Sequence, residues 1–287
     1  MSSIFIVIPI LVVLMFLLGT ELDRKAFIGV AKAPRGVIAG MTGQLVLLPA
    51  IAFATAWALD LSPVYFMGLM LISCCPGGSS SNVFTMLAKG NVALSVTLTA
   101  LSSIITLLTL PVIMAYTARF VSMQSGEAIE LPIGKLIMQN IVLLFVPILL
   151  GVALRKASPG AARKVNRVLG KCAFPALMTL ALVFFLQYTQ EIIDNIAILG
   201  SATALLILLA MACSSMLSRA TGNDTAVRRT IVIEVGMQNA AQAIAIATSP
   251  IIFNSGEMAL PAIIYALLMN IILLLYVFVI RKRTEKE

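Results

Sequence analysis

The sequence predicts an all-α polytopic membrane protein, and three observations carry that prediction. Of the 287 residues, 60% are hydrophobic and 11% are charged, and a soluble domain carries about twice that charged fraction. The mean hydropathy is +1.05. The apolar residues also come in long runs, and a helix needs about 20 of them to cross a bilayer. A soluble protein with a very large core is the minor alternative.

Apolar runs of this length predict nine transmembrane helices. The first run leads into Gly19 and Glu21 with no basic segment before it, so we interpret it as a retained span and not as a cleaved signal peptide. The nine predicted spans are 4–22, 36–58, 64–88, 92–118, 133–154, 169–189, 193–217, 227–249 and 259–280.

Lys and Arg residues predict how the spans are oriented, because cytoplasmic loops are enriched in them. With the C-terminus in the cytoplasm and the N-terminus outside, only Arg119 and Lys135 face outward. The inward segments are 24–35, 89, 155–171, 219–229 and 281–286. The net charge of +8 therefore follows from membrane topology, and no nucleic-acid partner is needed to explain it. We expect a multi-pass protein of the inner (plasma) membrane.

Two polar breaks interrupt the third and eighth predicted spans. The first is CCPGGSSSN at residues 74–82, and the second is EVGMQNA at residues 234–240. Irregular backbone survives at membrane depth only where protein buries it or it lines a cavity. Paired broken helices near the midplane mark the substrate and ion site of many secondary transporters.

The spacing of the two breaks predicts an inverted repeat. Spans 3 and 8 are five crossings apart and so run in opposite directions through the membrane, which suits spans 1–4 matching spans 6–9. Span 5 then has no counterpart, and a further N-terminal helix would complete two five-helix repeats. The halves share no obvious residue identity, so this prediction depends on hydropathy and on the positions of the breaks.

The first break combines features suited to a cation and to an anion. Pro76 lacks a backbone donor and clashes with the preceding turn, which predicts a helix end near Cys75 with free carbonyl groups. The serine run after Gly78 supplies N-cap residues for a second half-helix, whose N–H groups favour an anion.

The second break contains Glu234, which of the twelve acidic residues is the one in the interior of a predicted span. An intramembrane carboxylate costs about 2.5–3.5 kcal/mol on insertion scales, so it needs a cation, a proton or a strong hydrogen-bond partner. Gln238 and Asn239 follow in the same break. Their oxygens, with backbone carbonyls, would suit a small hard cation such as Na⁺. The alternative is a protonated glutamic acid that only joins helices.

Other polar residues in the spans are weaker candidates. Ser95 and Thr99 share one face of span 4 and could complete an oxygen shell, although helix packing explains them equally well. Gln44 in span 2 is at least as well explained by packing. Asn270 is the strongly polar residue deep in span 9, and Gln139 with Asn140 at the start of span 5 are expected near the membrane interface. Four cysteines without a CxxC pattern, in a chain without histidine, predict no zinc or haem site.

At these residues the chain resembles the bile acid:sodium symporter family. The matching motifs are CCPGG at 74–78, SNV at 81–83, GNVALSV at 90–96 and EVGMQN at 234–239. The resemblance covers nearly the whole chain as one transmembrane transporter domain, 1–287. It implies a panel domain and a core domain whose two broken helices cross, and a nine-helix form is known in the family. We expect the core at about 64–154 and 193–249, with 1–58, 169–189 and 259–280 contributing to the panel.

The resemblance also implies two Na⁺ sites behind the crossing. One would use Ser81, Asn82, Ser95, Thr99 and Glu234. The other would use Gln44, Glu234 and Gln238, with backbone oxygens of Val235 and Met237. On the substrate side, the resemblance implies Ser79, Ser80, Asn239 and Asn270. Many bacterial relatives have threonine where Ser79 stands, which leaves a hydroxyl in place.

The function expected on this basis is Na⁺-coupled symport of an organic anion by alternating access, with a bile-acid-like molecule or a small carboxylate or sulfonate as substrate. Proton coupling through Glu234 is the first alternative. Export of a metalloid oxyanion is the second. Such an exporter would be expected to carry a cysteine in the transport path, for which Cys74 or Cys75 could be mistaken, but the set of Na⁺ ligands argues against it. A membrane enzyme or receptor is disfavoured, because the sequence offers no nucleophile–base pair, metal cluster or sizeable soluble domain.

Overall fold

The computed structural model describes residues 4–22, 34–126, 129 and 131–284. Helices account for nearly all of them, which confirms the predicted all-α class. The basic segment 24–32 and the acidic residues Glu127 and Glu130 lie outside the described residues. The helices are α1 (Ile4–Glu21), α2 (Pro34–Ala58), α3 (Pro63–Cys74), α4 (Ser81–Leu87), α5 (Val92–Ser125), α6 (Ile133–Ala157), α7 (Pro159–Gln187), α8 (Thr189–Ala220), α9 (Thr225–Gly236), α10 (Ala240–Ala247) and α11 (Leu260–Thr284).

Both predicted breaks interrupt helices. α3 ends at Cys74 and α4 begins at Ser81, while α9 ends at Gly236 and α10 begins at Ala240. The extended backbone of Cys75 and Met237 begins each break. The first break is enforced by proline, whereas the second contains only one glycine and is held open by its tertiary contacts.

Five of the described helices are long and apolar enough to cross a membrane: α2, α5, α6, α8 and the segment Glu257–Lys282, which includes most of α11. Two shorter apolar helices are found at Ile8–Glu21 and Pro63–Cys74. α7 begins at Pro159, earlier than the predicted span 169–189. The prediction missed the first turns of this helix because they carry Arg163, Lys164 and Arg167. Hydropathy alone therefore located only its apolar end.

Glycine lets α1 and α6 pack closely. A Cβ added to Gly19 would collide with the carbonyl group of Ile148, and one added to Gly151 would collide with that of Phe16. Small residues at facing positions let transmembrane helices approach until their backbones touch. α7 packs against both helices, so α1, α6 and α7 form one group.

The remaining long helices form a second group around the breaks. α8 packs against α9 and α11, α3 packs against α2, α5 and α11, and α10 packs against α11, α3 and α1. This packing favours a different allocation from the predicted one, with α2 and α11 beside the broken helices and α6 in the group of α1. The predicted panel and core themselves stay a prediction, as does the inverted repeat.

α2 and α6 each contain one π-helical turn, at Gly43–Leu47 and Ile141–Phe145. In each, a proline follows two residues after the turn, at Pro49 and Pro147. A proline ring clashes with the carbonyl four residues earlier, and a π turn is one way to accommodate it. Such turns are frequent at functional sites.

Candidate functional site

The two breaks lie against each other and pair through their backbones. Gly78 N–H donates to the Met237 carbonyl and Asn239 N–H donates to the Pro76 carbonyl, both over 2.9 Å. Gly77 and Gln238 form an isolated antiparallel bridge between these bonds. The pairing satisfies backbone groups that the interrupted helices leave free, and polar groups in a membrane interior require such partners.

Glu234 lies beside this crossing, 1% exposed, with both carboxylate oxygens hydrogen-bonded. Ser95 Oγ donates to one carboxylate oxygen over 2.8 Å, and Thr99 Oγ1 donates to the other. Ser81 Oγ lies 3.2 Å from Ser95 Oγ and 3.4 Å from Thr99 Oγ1. The structure therefore gathers four of the five residues of the first predicted Na⁺ set into one hydroxyl-lined cluster.

The sequence places these hydroxyls through ordinary local rules. Asn91 caps α5, accepting a hydrogen bond from Leu94 N–H over 3.0 Å, which fixes where the helix begins. Ser95 and Thr99 then follow one turn apart on the face toward Glu234. The next turn of that face carries Ser102, whose Oγ accepts a hydrogen bond from Gly77 N–H over 3.3 Å. Ser102 was not singled out by the sequence, although its spacing from Thr99 is a helical signal.

Gly77 is required by the close approach of the carboxylate. A Cβ at this position would lie 2.5 Å from Glu234 Oε1. The break therefore needs its first glycine for space as well as for backbone freedom. At the other break, the fully buried Tyr265 donates its hydroxyl hydrogen to the Gly236 carbonyl over 3.2 Å. That bond ties the end of α9 to α11.

The second predicted Na⁺ set is assembled around two amides. Gln44 Nε2 donates to Gln238 Oε1 over 2.6 Å and to the Cys75 carbonyl over 3.0 Å. Gln238 Nε2 donates to the Val235 carbonyl over 2.8 Å and to Gln44 Oε1 over 3.2 Å. The Met237 carbonyl accepts the cross-break bond from Gly78. Gln44 lies in the π turn of α2, so the turn directs an amide at the crossing.

Asn82, the fifth member of the first set, is turned toward α1. Its Nδ2 donates to Glu21 Oε2 over 2.9 Å, while its Oδ1 is buried with no hydrogen-bond partner. Glu21 Oε1 accepts a second bond from Asn166 of α7 over 3.1 Å. The sequence did not single out Glu21, because it ends the first predicted span and so resembles an interfacial residue. Asn82 therefore has no described hydrogen bond to the other four residues of its predicted set, and it keeps one buried oxygen without a partner.

Two of the predicted substrate residues line a cavity of about 280 Å³. Ser79 and Ser80 are half-buried there, opposite Leu14 and Leu18 of α1. Ser80 occupies the N-cap position of α4, but its side chain makes no capping hydrogen bond. The predicted capping by the serine run is therefore wrong for Ser80, whose backbone is helical at φ −70° and ψ −14° and not extended.

The other two predicted substrate residues are not joined to these serines by any described hydrogen bond. Asn239 caps α10, accepting from Gln242 N–H over 3.1 Å, and its Nδ2 lies 3.9 Å from Met15 Sδ. Asn270 donates to the Ala266 carbonyl of its own helix over 2.7 Å. A lining residue of the cavity, Leu274, follows Asn270 one turn later on α11.

Gln139 and Asn140, which the sequence places near the membrane interface, are buried inside the protein. They are 8% and 1% exposed and face α10. Ser249 Oγ donates to Gln139 Oε1 over 2.8 Å, and Gln242 Nε2 donates to Asn140 Oδ1 over 3.3 Å. Their proximity to the end of the predicted span suggested the membrane interface. In the structure, α10 and the residues after it bury both side chains within the protein.

A second cavity, of about 620 Å³, adjoins the first and shares Glu21 and Asn82 with it. Arg155, Arg163 and Arg167 line it together with Asn166. Within the described residues, no three or more Cys, Asp or Glu side chains form a group that could hold a metal ion. The oxygen atoms of the crossing are instead hydroxyl, amide, carbonyl and one carboxylate, a set suited to a hard monovalent cation.

A helical membrane protein in which two interrupted helices pair around a buried carboxylate has the architecture of a secondary transporter. The family model described as the sodium bile acid symporter family matches residues 8–219. The chain therefore belongs to the sodium bile acid symporter family, a family of sodium-dependent transporters.

Similar proteins come from bacteria, plants and animals. A probable chloroplastic sodium/metabolite cotransporter of Arabidopsis thaliana is 31% identical over 83% of this chain and 58% of its own length. An uncharacterized sodium-dependent transporter of Bacillus subtilis is 29% identical over 83% of this chain and 72% of its own length. The human ileal sodium/bile acid cotransporter is 29% identical over 80% of this chain and 65% of its own length. The chain thus spans between 58% and 72% of the length of these three relatives.

Proposed function

We propose that this protein is a Na⁺-coupled symporter of an organic anion, with Na⁺ on one side of the paired breaks and the anion on the other. The observation that carries the proposal is the enclosure of Glu234 by the hydroxyls of Ser95 and Thr99, beside the backbone pairing of the breaks. The family and its relatives, which are named for sodium, support the same coupling ion.

The first Na⁺ would bind among Ser81, Asn82, Ser95, Thr99 and Glu234. Hydroxyl oxygens that now donate hydrogens to the carboxylate keep lone pairs for a cation, and the buried Asn82 Oδ1 has no competing partner. The ion would neutralise a carboxylate whose placement costs about 2.5–3.5 kcal/mol. This gain makes cation binding favourable at membrane depth.

The second Na⁺ would bind between Gln44 and Gln238, with Glu234 and the carbonyls of Val235 and Met237. The two amides now hydrogen-bond each other across 2.6 Å. Rotation of both amides would turn their oxygens toward an ion and release the bond between α2 and the second break. Binding of this ion would therefore be coupled to the geometry of the crossing.

The anion would bind on the α1 side of the breaks. Ser79 and Ser80 supply hydroxyl donors, and Asn239 supplies an amide within reach of α1 through Met15. Asn270 belongs to the predicted set by resemblance and lies one turn from the cavity wall. A bile-acid-like molecule or a small carboxylate or sulfonate fits this mixture of donors and leucine side chains.

Alternating access would arise from motion between the two packing groups. α1, with Gly170 of α7, forms one wall of the substrate cavity, while α4, with Leu274 of α11, forms the other. The two broken helices would descend from an inverted repeat, and so present equivalent surfaces to each side of the membrane. Two Na⁺ with one monovalent anion would move one net charge, for which the membrane potential contributes about 2.3 kcal/mol per 100 mV.

We further propose a location in the inner (plasma) membrane with the N-terminus outside and the C-terminus in the cytoplasm. The arginines that line the larger cavity, Arg155, Arg163 and Arg167, would then face the cytoplasm. This orientation agrees with the enrichment of basic residues on cytoplasmic sides.

The test is uptake into proteoliposomes under separately imposed gradients. Organic anions that raise the melting temperature more with Na⁺ than with K⁺ are selected first, since a ligand stabilises the state to which it binds. We expect an inward Na⁺ gradient to drive their accumulation, and an inside-negative potential to increase it. Accumulation driven by a pH gradient in Na⁺-free buffer would replace Na⁺ coupling by proton coupling. Transport of arsenite alone, without Na⁺, would overturn the proposal.

A further inference from the structure

A buried seam of amides joins α6 to α10, the helix that follows the second break. It consists of Gln139 and Asn140 on α6 with Gln242 and Ser249 on or after α10. Gln139 is satisfied at both ends, since its Oε1 accepts from Ser249 and its Nε2 donates to the Ala245 carbonyl over 3.4 Å. Asn140 and Gln242 share one bond of 3.3 Å.

That pair keeps one donor and one acceptor without partners. Asn140 Nδ2 and Gln242 Oε1 are both buried and unbonded, and each residue is only 1% exposed. Reversing both amides would exchange the atoms but would again leave one donor and one acceptor. Burial of an amide atom without a hydrogen bond is costly, so a site of this kind calls for a further polar group.

The pair is connected to the predicted substrate side of the crossing. Gln242 N–H donates to Asn239 Oδ1, and Asn239 N–H donates to the Pro76 carbonyl. Asn140 directly precedes the π turn of α6, just as Gln44 lies within the π turn of α2. The amide at the π turn of α2, Gln44, thus bonds to Gln238 of the second break, and the amide at the π turn of α6, Asn140, bonds to Gln242 of the following helix.

The seam also lies between the two packing groups. Asn140 belongs to α6, which packs with α1, and Gln242 belongs to α10, which packs with α3 and α11. Separation of these groups during transport would uncover the unpaired donor and acceptor together. An apolar contact at this place would close equally well, so the amides have a use beyond packing.

We propose that Asn140 and Gln242 form a recognition subsite for an anion that carries its own hydrogen-bond donor. This inference rests on the proposed function and narrows its substrate class. The Asn140 amide would donate to the anionic oxygen, and Gln242 Oε1 would accept from a hydroxyl or N–H group two or three bonds away. Hydroxy acids and amide-conjugated acids have this arrangement, whereas plain carboxylic acids do not.

The experiment compares matched acids that differ in that donor. Isovalerate is paired with 2-hydroxyisovalerate, and cholate with its glycine conjugate, in Na⁺-dependent uptake and in Na⁺-dependent thermal shift. We expect the donor-bearing acid of at least one pair to bind about tenfold more tightly, since one satisfied hydrogen bond is worth about that factor. Asn140→Leu and Gln242→Met should bring the ratio within a pair close to unity.

Gln139→Met is the matched control, because Gln139 is a neighbouring buried amide whose two ends are already bonded. It should keep the wild-type ratio even if it lowers the melting temperature. Equal affinity of the wild type for both acids of each pair overturns the inference, as does a ratio that survives both substitutions. Either result leaves Na⁺-dependent uptake intact, whereas loss of all Na⁺ dependence in the wild type would refute the proposed function itself.

Discussion

Two polar regions flank the second break, and they differ in how completely their hydrogen bonds are satisfied. On one side, both oxygens of Glu234 and both ends of Gln44 and Gln238 are bonded. On the other side, Asn140 and Gln242 each retain an unpaired atom. A fully bonded region holds the crossing together, because every polar group in it has a protein partner. A partly bonded region retains a donor and an acceptor, which is why we propose it as the place where a ligand binds.

The largest expected effect comes from removing the charge of the bonded region. Glu234→Gln keeps the shape of the side chain but removes the anion that a cation would neutralise. We expect the Na⁺-induced stabilisation and the Na⁺-driven uptake to fall about tenfold to a hundredfold, because an interaction with a charged group is worth about 1.5–3 kcal/mol. The Na⁺-induced stabilisation is measured from the melting temperature at increasing NaCl concentrations. A variant with wild-type Na⁺ affinity would contradict the assignment.

The next effect concerns the space that Glu234 needs. Gly77→Ala would put a methyl group 2.5 Å from Glu234 Oε1. The carboxylate or the break must then shift, and we expect a loss of about 1–3 kcal/mol in stability, as for other overpacked sites, with a matching loss of Na⁺ response. Gly134→Ala is the control, since nothing lies within 4 Å of its added Cβ. Equal melting temperatures for the two variants would show that the break adapts freely.

A paired substitution measures the contrast between the two regions directly. Gln44→Leu leaves Gln238 Oε1 and the Cys75 carbonyl without their donor, so we expect a loss of about 1–3 kcal/mol of stability. Asn140→Leu removes the unpartnered Nδ2 and a single bond of 3.3 Å from Gln242 to Oδ1, so we expect a smaller loss, of about 1 kcal/mol. Chemical or thermal unfolding in one detergent compares them. A larger loss for Asn140→Leu would reverse the interpretation of the regions.

A smaller effect is expected at Glu21, which orients Asn82 beside the bonded region. Glu21→Gln weakens the charged acceptor of Asn82 Nδ2, so Asn82 Oδ1 would be held less firmly toward the cation cluster. We expect Na⁺ affinity to fall by a few fold, about 1 kcal/mol for a charge-assisted bond made neutral. Asn166→Ala removes the other hydrogen-bond partner of Glu21 and should leave Na⁺ affinity unchanged. Equal losses in both variants would assign Glu21 a general structural role.

The smallest effect is expected at Asn270. Its amide donates within its own helix and no described bond joins it to the breaks. Asn270→Ala should change Na⁺ affinity by less than about 0.5 kcal/mol, the range of substitutions away from special contacts. Uptake of the anion selected by thermal shift tests its predicted substrate role separately. A marked loss of Na⁺ affinity would mean that α11 belongs to the cation region.

The sequence alone was sufficient for the class, the breaks and most of the bonded region. Hydropathy identifies the membrane segments because each one is a helix that satisfies its own backbone hydrogen bonds. Pro76, with the glycines that follow it, is a local cause of the first interruption. Glu234 stood out because an intramembrane carboxylate is costly. The pairing of Ser95 with Thr99 could be predicted because residues four apart share one face of a helix. These signals are local, so they survive without any knowledge of the neighbouring helices.

Tertiary structure alone decided which polar atoms find partners. Only the fold shows that α4 and α7 bring Asn82 and Asn166 to Glu21, and that α10 buries Gln139 and Asn140. The turn of Asn82 toward α1, the two amides of Gln44 and Gln238 and the unpaired atoms of Asn140 and Gln242 all depend on the approach of distant helices. Hydrogen-bond satisfaction is a property of pairs of atoms, and a sequence specifies those pairs only through its fold.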